Sequence, residues 1–292
     1  FVDLKPLHSL PLDRVNAAGI MQALQIMLDR GAVESAHRAL SVARQVLDYA
    51  CSLEFIPYNP AATLSSVLPK SKASHYAAPT TPADFRRILD IIWDQSTNSI
   101  LDIAVRLCPL LLVRSSELRF MEWTEIGEDH IWRIPAAKMK RSREHWVPLS
   151  TQARGLIELA KQTNANRRYV FASPTKPRQP ISDNALRNRL RYWGITKSDA
   201  SPHGFRASGR TLIVEALGYP KDIVEHQLAH KVREPDGRAY NRTEFLGART
   251  GMMQHWSDYA EGLPMQSHSV PTRNNIPNVY DIKQGLIDFS KK

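Results

Sequence analysis

Six polar side chains, in a fixed order along the chain, are of the types that chemistry on a phosphodiester requires. They are Arg114, Lys140, His203, Arg206, His230 and Tyr240. The two arginines keep their positive charge and can hold the non-bridging oxygens of a phosphodiester. A positioned tyrosine can then attack phosphorus and form a covalent intermediate. The set predicts transfer of a phosphodiester to a protein side chain, with no metal ion and no other cofactor.

The positive charge of the chain is concentrated in one stretch. The whole chain has 39 Lys and Arg against 29 Asp and Glu, whereas residues 131–211 have 17 against 4. Positive charge of this density within a folded region is typical of proteins that bind a nucleic-acid backbone. A solvated surface that only promotes solubility would have a similar composition, and charge alone does not separate the two interpretations.

Composition indicates a soluble globular protein of one large or two ordinary domains, with 42% hydrophobic and 23% charged residues in a length of 292. Cys51 and Cys108 are too few for a disulfide framework and lack metal-ligand spacing, which favours a reducing, cytoplasmic setting. No apolar run is long enough for a membrane span, so no membrane partner is expected. The chain begins at Phe1 without a signal-peptide pattern, and we expect a fragment with residues missing upstream.

Turn and linker signals divide the chain into two domains and a tail. Amphipathic helical patterns fill residues 1–75 and predict a small helical domain. A proline-containing stretch over residues 76–82 predicts a linker. Residues 83–261 form the larger predicted domain, and the polar residues 262–292 a C-terminal tail that could pack on a neighbouring protomer.

The larger domain is predicted to be mainly α with a small antiparallel β-sheet, an α+β fold. Short runs rich in aromatic and β-branched residues predict a three-stranded sheet over 123–126, 131–134 and 146–149. The connection before the last strand is long and carries Lys140. Helical periodicity elsewhere predicts helices at 82–93, 97–112, 151–162, 182–193, 204–217, 220–229, 238–246 and 249–261.

Two short motifs could hold an anion. Arg114 precedes Glu117 by three positions, so the carboxylate could orient the arginine towards a phosphate; an ordinary helix ion pair is the alternative. His203 and Arg206 are one helical turn apart and could converge on one oxygen group. A helix that starts near Gly204 would also offer unpaired amides to an anion.

Two other residues have competing interpretations. His226 and His230 have the i, i+4 spacing of a zinc-ligand pair, but a hydrolytic zinc site would need Glu where Gln227 stands, and Gln cannot act as a general base. A surface histidine is the preferred alternative for His226. Tyr240 follows a turn-rich segment that could deliver it to a substrate, although a half-buried structural tyrosine is the more common role.

The order of the six residues, with their flanking sequences, resembles the tyrosine recombinases. The flanking sequences are similar to those of prophage and genomic-island integrases, and they occupy residues 111–118, 138–150, 203–206, 227–230 and 239–242. The similarity runs from the first helices, including Asn59-Pro60-Ala61, to about residue 261, although Ser115-Ser116 replaces the Pro-Gly that is common after the first arginine. It implies a core-DNA-binding domain in residues 1–75 and a catalytic domain in residues 83–261.

The resemblance implies a mechanism in which Tyr240 attacks the scissile phosphate. A 3′-phosphotyrosyl link forms and a 5′-hydroxyl departs, and the 5′-hydroxyl of a partner strand later reverses the step. Lys140 would protonate the departing oxygen, with Lys138 as the alternative. The resemblance also assigns charge neutralisation to Arg114 and Arg206, and donation to a phosphate oxygen to His230. His203 would assist loss of the phenolic proton or hold the transition state.

The implied partners are double-stranded DNA at attachment sites and a homo-tetramer when two sites synapse, with accessory DNA-bending and directionality proteins as further candidates. Full-length relatives would carry an additional amino-terminal arm-binding domain, and the setting would be the bacterial cytoplasm and nucleoid. Two alternative functions remain open on the sequence alone. One is a non-catalytic DNA-binding protein of the same fold, and the other is a type IB topoisomerase, which shares the covalent tyrosine chemistry.

Overall fold

The computed structural model describes residues 4–70, 76–230 and 245–262. The chain divides into two compact units, a smaller unit over residues 1–75 and a larger unit over residues 76–292. Tyr240, nearly all of the helix predicted over 238–246 and nearly all of the tail lie outside the described residues. Within the described ranges, no helix combines the length and the apolar character needed to cross a bilayer.

The smaller unit is built on two long helices that share one apolar core. Its elements are α1 (Lys5–His8), a 3₁₀ turn at Leu12–Arg14, α2 (Ala17–Asp29), α3 (Val33–Ser52) and a 3₁₀ turn at Leu64–Ser66. Asn16 caps α2 by accepting a hydrogen bond from the amide of Gly19, at 2.8 Å. Asn59 ties the following loop back to α3, since its Nδ2 donates to Asp48 Oδ1 at 2.6 Å and to the Arg44 carbonyl.

The larger unit contains eight helices within its described residues. They are α4 (Pro82–Trp93), α5 (Ile100–Leu111), α6 (Ser115–Arg119), α7 (Thr151–Asn164), α8 (Ala185–Tyr192), α9 (Gly204–Glu215), α10 (Lys221–Gln227) and α11 (Leu246–Glu261). Helix α5 is buried at every position except Leu101 and contacts α4, α7, α8, α9 and α11. A helix that is buried on all sides belongs in the centre of a domain. Helix α5 is therefore the element around which the larger unit is arranged.

The ends of α5 are set by local chemistry. Ser99 and Asp102 form a reciprocal capping box, which starts the helix at Ile100 rather than at residue 97 as predicted. At the other end, Leu112 adopts a left-handed conformation with φ of 55°, so the chain leaves the helix abruptly. This exit places Arg114 just beyond the end of the central helix.

The sheet has two strands, β1 (Ile131–Ile134) and β2 (His145–Pro148), paired antiparallel with Ile131 opposite Pro148. The prediction of a mainly α fold with a small antiparallel sheet is confirmed, but the predicted first strand is wrong. Trp123–Glu125 forms a 3₁₀ turn, because the side chains of Glu122 and Glu125 cap it reciprocally. Ile126 still forms an isolated bridge with Trp132.

Candidate active site

The start of α9 is held close to the beginning of the larger unit. A Cβ on Gly204 would lie 1.9 Å from the carbonyl oxygen of Ala77, so this close approach requires glycine. The amide of Gly204 donates to Ser201 Oγ at 2.9 Å, and the amide of Arg206 donates to the His203 carbonyl. The expectation that free amides at this helix start would attract an anion is therefore wrong for these two groups, because the chain itself already pairs them.

Arg206 is fixed by main-chain carbonyls at the ends of two helices. Its Nη1 donates to the carbonyl of Leu112, beyond α5, and its Nη2 donates to the carbonyl of Leu228, beyond α10, at 2.6 Å. The side chain is almost fully buried. Burial, followed by the nearby charge of Arg114, lowers the pKa of Arg206 to about 10. The guanidinium still carries its charge at neutral pH, in an orientation that the fold sets.

Arg114 is the residue that precedes α6. Its amide donates to Glu117 Oε2 at 2.7 Å and its Nη1 donates to Glu117 Oε1 at 2.5 Å, while Glu117 is buried. The carboxylate thus holds both the main chain and the side chain of Arg114. The pair that the sequence suggested is present, and it fixes the position of the arginine beside Arg206.

His203 lies at the amino-terminal end of α9, immediately before Gly204. Its ring packs on Tyr76 with ring centroids 4.7 Å apart. Partial burial lowers the pKa of His203, and the positive charges of Arg206, Arg114 and His230 lower it further. His203 is therefore within electrostatic reach of the two arginines and of the second histidine.

His230 follows α10, and its ring faces Arg206. Nη2 of Arg206 lies 3.4 Å from His230 Nε2, and His230 Nδ1 lies 2.5 Å from Glu225 Oε2. Burial lowers the pKa of His230, the Glu225 carboxylate raises it, and Arg206 and Arg114 lower it, with a net decrease. Four of the six predicted residues, two arginines and two histidines, are thus brought together in the larger unit.

The connection between β1 and β2 separates two neighbouring lysines. Lys138 Nζ donates to the Phe120 carbonyl and to Glu122 Oε1, both at 2.7 Å, and also to Glu125. Lys140, two residues further on, has an exposed side chain. The described contacts do not join Lys140 to the two arginines. Tyr240 lies outside the described residues, so no position is assigned to it.

A buried polar network next to these residues was missed by sequence reasoning. Oε1 of Gln227 accepts from Arg249 Nε at 3.1 Å and from Arg249 Nη2 at 2.9 Å, while its main-chain carbonyl lies 3.0 Å from His145 Nε2. The network joins β2, α10 and α11. Burial first, and then the charge of Arg249, holds the pKa of His145 well below its ordinary value. The one sequence signal was Gln227 itself, a polar residue in an apolar stretch.

His226 was predicted to be a surface histidine, and the structure contradicts this. It is buried, and its ring meets the edge of Phe245 at a centroid distance of 5.0 Å. Helix α10 turns this side inwards. Among the residues that the structure describes, no group of three or more His, Cys, Asp or Glu side chains is arranged to hold a metal ion.

Comparison with known protein families identifies the family of the chain. Residues 79–245 match the family model described as the phage integrase family, and residues 2–67 match the phage integrase central domain. The chain therefore belongs to the phage integrase family.

Individual relatives point the same way. The integrase of Enterobacteria phage P4 is 33% identical over 275 residues, which covers 88% of this chain and 60% of that protein. The prophage integrase IntA of Escherichia coli (strain K12) is 29% identical over 248 residues, with 85% and 59% covered. The chain thus spans about 60% of the length of these curated relatives.

Solved structures show the same fold at low sequence identity. A lambda integrase (75–356) dimer bound to a COC′ core site superposes with a TM-score of 0.59 at 17% identity, covering 82% of this chain and 87% of that one. The Tn1549 transposon integrase in complex with circular intermediate DNA gives a TM-score of 0.57 at 15% identity, with 78% and 82% covered.

Proposed function

We propose that this chain is part of a tyrosine-type site-specific recombinase, which cleaves and rejoins double-stranded DNA to integrate or excise a mobile element. The observation that carries the proposal is the convergence of Arg114, His203, Arg206 and His230 in the larger unit. These residues come from the ends of three different helices. Glu117 and Glu225 orient Arg114 and His230, and a cluster of two arginines and two histidines is suited to a phosphodiester.

The two arginines would stabilise the charge that develops at phosphorus. Arg206 is already oriented by two carbonyls and Arg114 by Glu117, so little reorganisation is needed when the phosphate binds. Glu117 offsets part of the repulsion between the two guanidinium groups. His203 and His230 would complete the set of groups around the non-bridging oxygens.

Tyr240 is proposed as the nucleophile, ten residues after His230. Its oxygen would bond to phosphorus as the bond to the 5′ oxygen breaks, giving a 3′-phosphotyrosyl link, and the phenolic proton would pass to His203. The departing oxygen needs a proton, and we assign that transfer to Lys140. The support for Lys140 over Lys138 is that Lys138 is held by Glu122 and Glu125, whereas Lys140 is exposed.

The proposed assembly follows from the same chemistry. Double-stranded DNA at attachment sites would contact both units, with most contacts made to phosphates. Two synapsed sites would need four copies of the protein; among the structural relatives, a lambda integrase tetramer has been seen bound to a Holliday junction. Accessory DNA-bending and directionality proteins, and a location at the bacterial nucleoid, complete the proposal.

Covalent trapping tests the proposal directly. The protein would be incubated with a suicide DNA site, nicked so that the cleaved strand diffuses away, and run on a denaturing gel. We expect a covalent complex with the wild-type chain and none with Tyr240→Phe, which should still bind DNA. Trapping by Tyr240→Phe would show that another residue attacks, and a wild-type chain that binds DNA without trapping would indicate a non-catalytic DNA-binding protein.

A relaxation assay separates recombination from topoisomerase activity. Supercoiled plasmid without an attachment site would be incubated with the chain, in parallel with plasmids that carry a pair of sites. We expect strand exchange only with the paired sites and little relaxation of the plasmid that lacks them. Efficient relaxation without a site would favour a type IB topoisomerase.

A further inference from the structure

The turn that ends α10 places the side chain of Glu225 against the ring of His230. The amide of His230 donates to the Glu225 carbonyl at 3.0 Å, and the amide of Ala229 donates to the His226 carbonyl at 3.1 Å. Ala229 has a left-handed conformation, with φ of 49°. These two bonds and the left-handed residue define a Schellman motif, which fixes residues five apart as neighbours. The carboxylate and the imidazole are therefore paired by the backbone turn.

The proton on the neutral His230 ring can be assigned from its two partners. An arginine side chain can only donate, so Nε2, at 3.4 Å from Arg206 Nη2, must act as an acceptor. The remaining nitrogen, Nδ1, then carries the proton and donates it to Glu225 Oε2 at 2.5 Å. Both contacts require the tautomer with the proton on Nδ1. The tautomer with the proton on Nε2 fits neither contact.

We infer that Glu225 is a positioning residue: it fixes the proton of His230 on Nδ1 and so presents Nε2 to the reacting phosphate. This inference rests on the proposed function. Nε2 faces Arg206, where it can take up a proton from solvent, since the His230 side chain is 40% exposed, and then donate it in a hydrogen bond to a phosphate oxygen. Glu225 lies on the opposite side of the ring and balances the charge of the imidazolium that forms.

Arg210 holds the carboxylate in place. Its Nε lies 2.6 Å from Glu225 Oε1, so the two oxygens of Glu225 serve different partners. Burial raises the pKa of Glu225, but hydrogen bonds from His230 and Arg210 outweigh it, and the net shift is downwards. Glu225 is therefore ionised at neutral pH and can act only as an acceptor for Nδ1–H.

The charges around His230 come from three elements. Arg206 on α9 lies at Nε2, and Glu225 on α10 is the anion at Nδ1. Arg114 before α6 and His203 before α9 are close enough to interact electrostatically with the ring, and Arg210 on α9 is bonded to Glu225. The cations disfavour the imidazolium and Glu225 favours it. Removal of Glu225 should therefore lower the pKa of His230, because it takes away the one close opposite charge recorded at the ring.

Nuclear magnetic resonance of the chain with ¹⁵N-labelled histidine tests the tautomer without reference to activity. The His230 signals would be identified by their loss in His230→Asn. At a pH above the histidine titration, we expect a protonated Nδ1 and an unprotonated Nε2 in the wild-type chain. We expect Glu225→Gln to shift the population towards a protonated Nε2, since the amide can donate to Nδ1. Glu215→Gln, which removes an exposed carboxylate from α9, serves as the matched control and should leave the signals unchanged.

The pH profile of single-turnover cleavage tests the catalytic consequence. The limb of the profile that reports on His230 should move to lower pH in Glu225→Gln, because the pKa of His230 falls when the carboxylate is removed. We also expect a 10- to 100-fold lower rate at neutral pH, with DNA affinity unchanged; that range is an order-of-magnitude expectation for lost orientation of a proton-transfer group. The Glu215→Gln control should match the wild type.

The outcomes are distinguishable from those of the proposed function. A protonated Nε2 in the wild-type chain, or a Glu225→Gln profile that superposes on the wild-type one, would overturn the role of Glu225 while covalent trapping through Tyr240 could still succeed. An absence of trapping in the wild-type chain would overturn the proposed function while the tautomer measurement would still report on Glu225. Recovery of the rate by Glu225→Asp would support the role of the carboxylate.

Discussion

Arg249 and Gln227 are joined by two hydrogen bonds in the interior of the larger unit, from Nε and Nη2 of the arginine to the single side-chain oxygen of the glutamine. Arg249 is 1% exposed and Gln227 fully buried. Gln227 is the last residue of α10 and Arg249 lies in the first turn of α11. The Arg249–Gln227 pair thus joins α10 to α11. Because His230 follows α10 by three residues, this pair also supports the end of α10 that positions His230.

Replacement of Gln227 by Leu should destabilise the larger unit. The change removes the acceptor of two bonds from a buried cation, and loss of a partner for a buried charged group costs about 3 kcal/mol. Urea denaturation followed by circular dichroism would measure it. Gln162→Leu, on the exposed side of α7, is the matched control and should change the free energy of unfolding by less than about 0.5 kcal/mol. Equal effects of the two variants would contradict the assignment.

Replacement of Gly204 by Ala should also be costly, for a steric reason. The new Cβ would fall 1.9 Å from the Ala77 carbonyl oxygen, so the start of α9 would have to move. We expect a loss of roughly 1–3 kcal/mol, typical of overpacking, together with slower DNA cleavage because Arg206 lies on the same turn.

Gly155→Ala in α7 is the control for the Gly204 variant. Its Cβ would meet nothing within 4 Å, and alanine in a helix interior is favoured over glycine by roughly 0.5–1 kcal/mol. Thermal unfolding of the two variants should therefore shift in opposite directions. A Gly204→Ala protein with wild-type stability would show that the contact to Ala77 is not maintained in solution.

The assignment of the proton donor predicts different behaviour for Lys140 and Lys138. Lys140→Met should slow cleavage by about 10²–10⁴-fold, the range for loss of a general acid. A DNA site with sulfur in place of the 5′ bridging oxygen should restore the rate, because a thiolate leaves without a proton. Single-turnover cleavage of the two substrates measures this.

Lys138→Met should respond differently, because Lys138 pairs with Glu122 and Glu125 and supports the sheet connection. The variant should lose stability, and the sulfur-containing site should give it no selective benefit. Rescue of Lys138→Met in place of Lys140→Met would reverse the assignment of the two lysines.

Arg206→Lys should preserve the charge but lose the function. A lysine has one ammonium group and cannot donate simultaneously to the Leu112 and Leu228 carbonyls and to a phosphate in the geometry of a guanidinium. We expect cleavage to fall by at least about 100-fold, comparable with the loss of one transition-state donor. DNA affinity should fall by only a few-fold, since one phosphate contact among many contributes modestly. Arg187→Lys, exposed on α8, should leave both quantities unchanged.

Much of the fold could be predicted because it depends on local patterns. The periodicity of α4, α5, α7 and α9 is strong, and the predicted ends lie close to the observed ones. The error at Trp123–Glu125 has a physical cause: a run rich in aromatic and β-branched residues favours a strand, but the two flanking glutamates supply caps that favour a turn. Side-chain capping of this kind competes with strand pairing, and residue type alone does not show which one wins.

The candidate site also has a part that could be predicted from the sequence and a part that could not. The types and order of Arg114, His203, Arg206 and His230 could be identified from the sequence, and the structure brings these four together. The supporting groups could not be identified from the sequence. Glu225 reaches His230 only through a left-handed turn at Ala229, and an alanine gives no sign of that conformation. The roles of Lys140 and Tyr240 stay predictions.

The anchoring of Arg206 by the carbonyls of Leu112 and Leu228 bears on how such a protein would tolerate imperfect DNA. A guanidinium that is tethered at two corners cannot follow a phosphate displaced by a mismatch or a shifted register. A duplex with a displaced phosphate would then bind almost as well as a correct one but would be cleaved slowly. Discrimination between correct and incorrect sites would therefore arise in the cleavage step and hardly at all in binding.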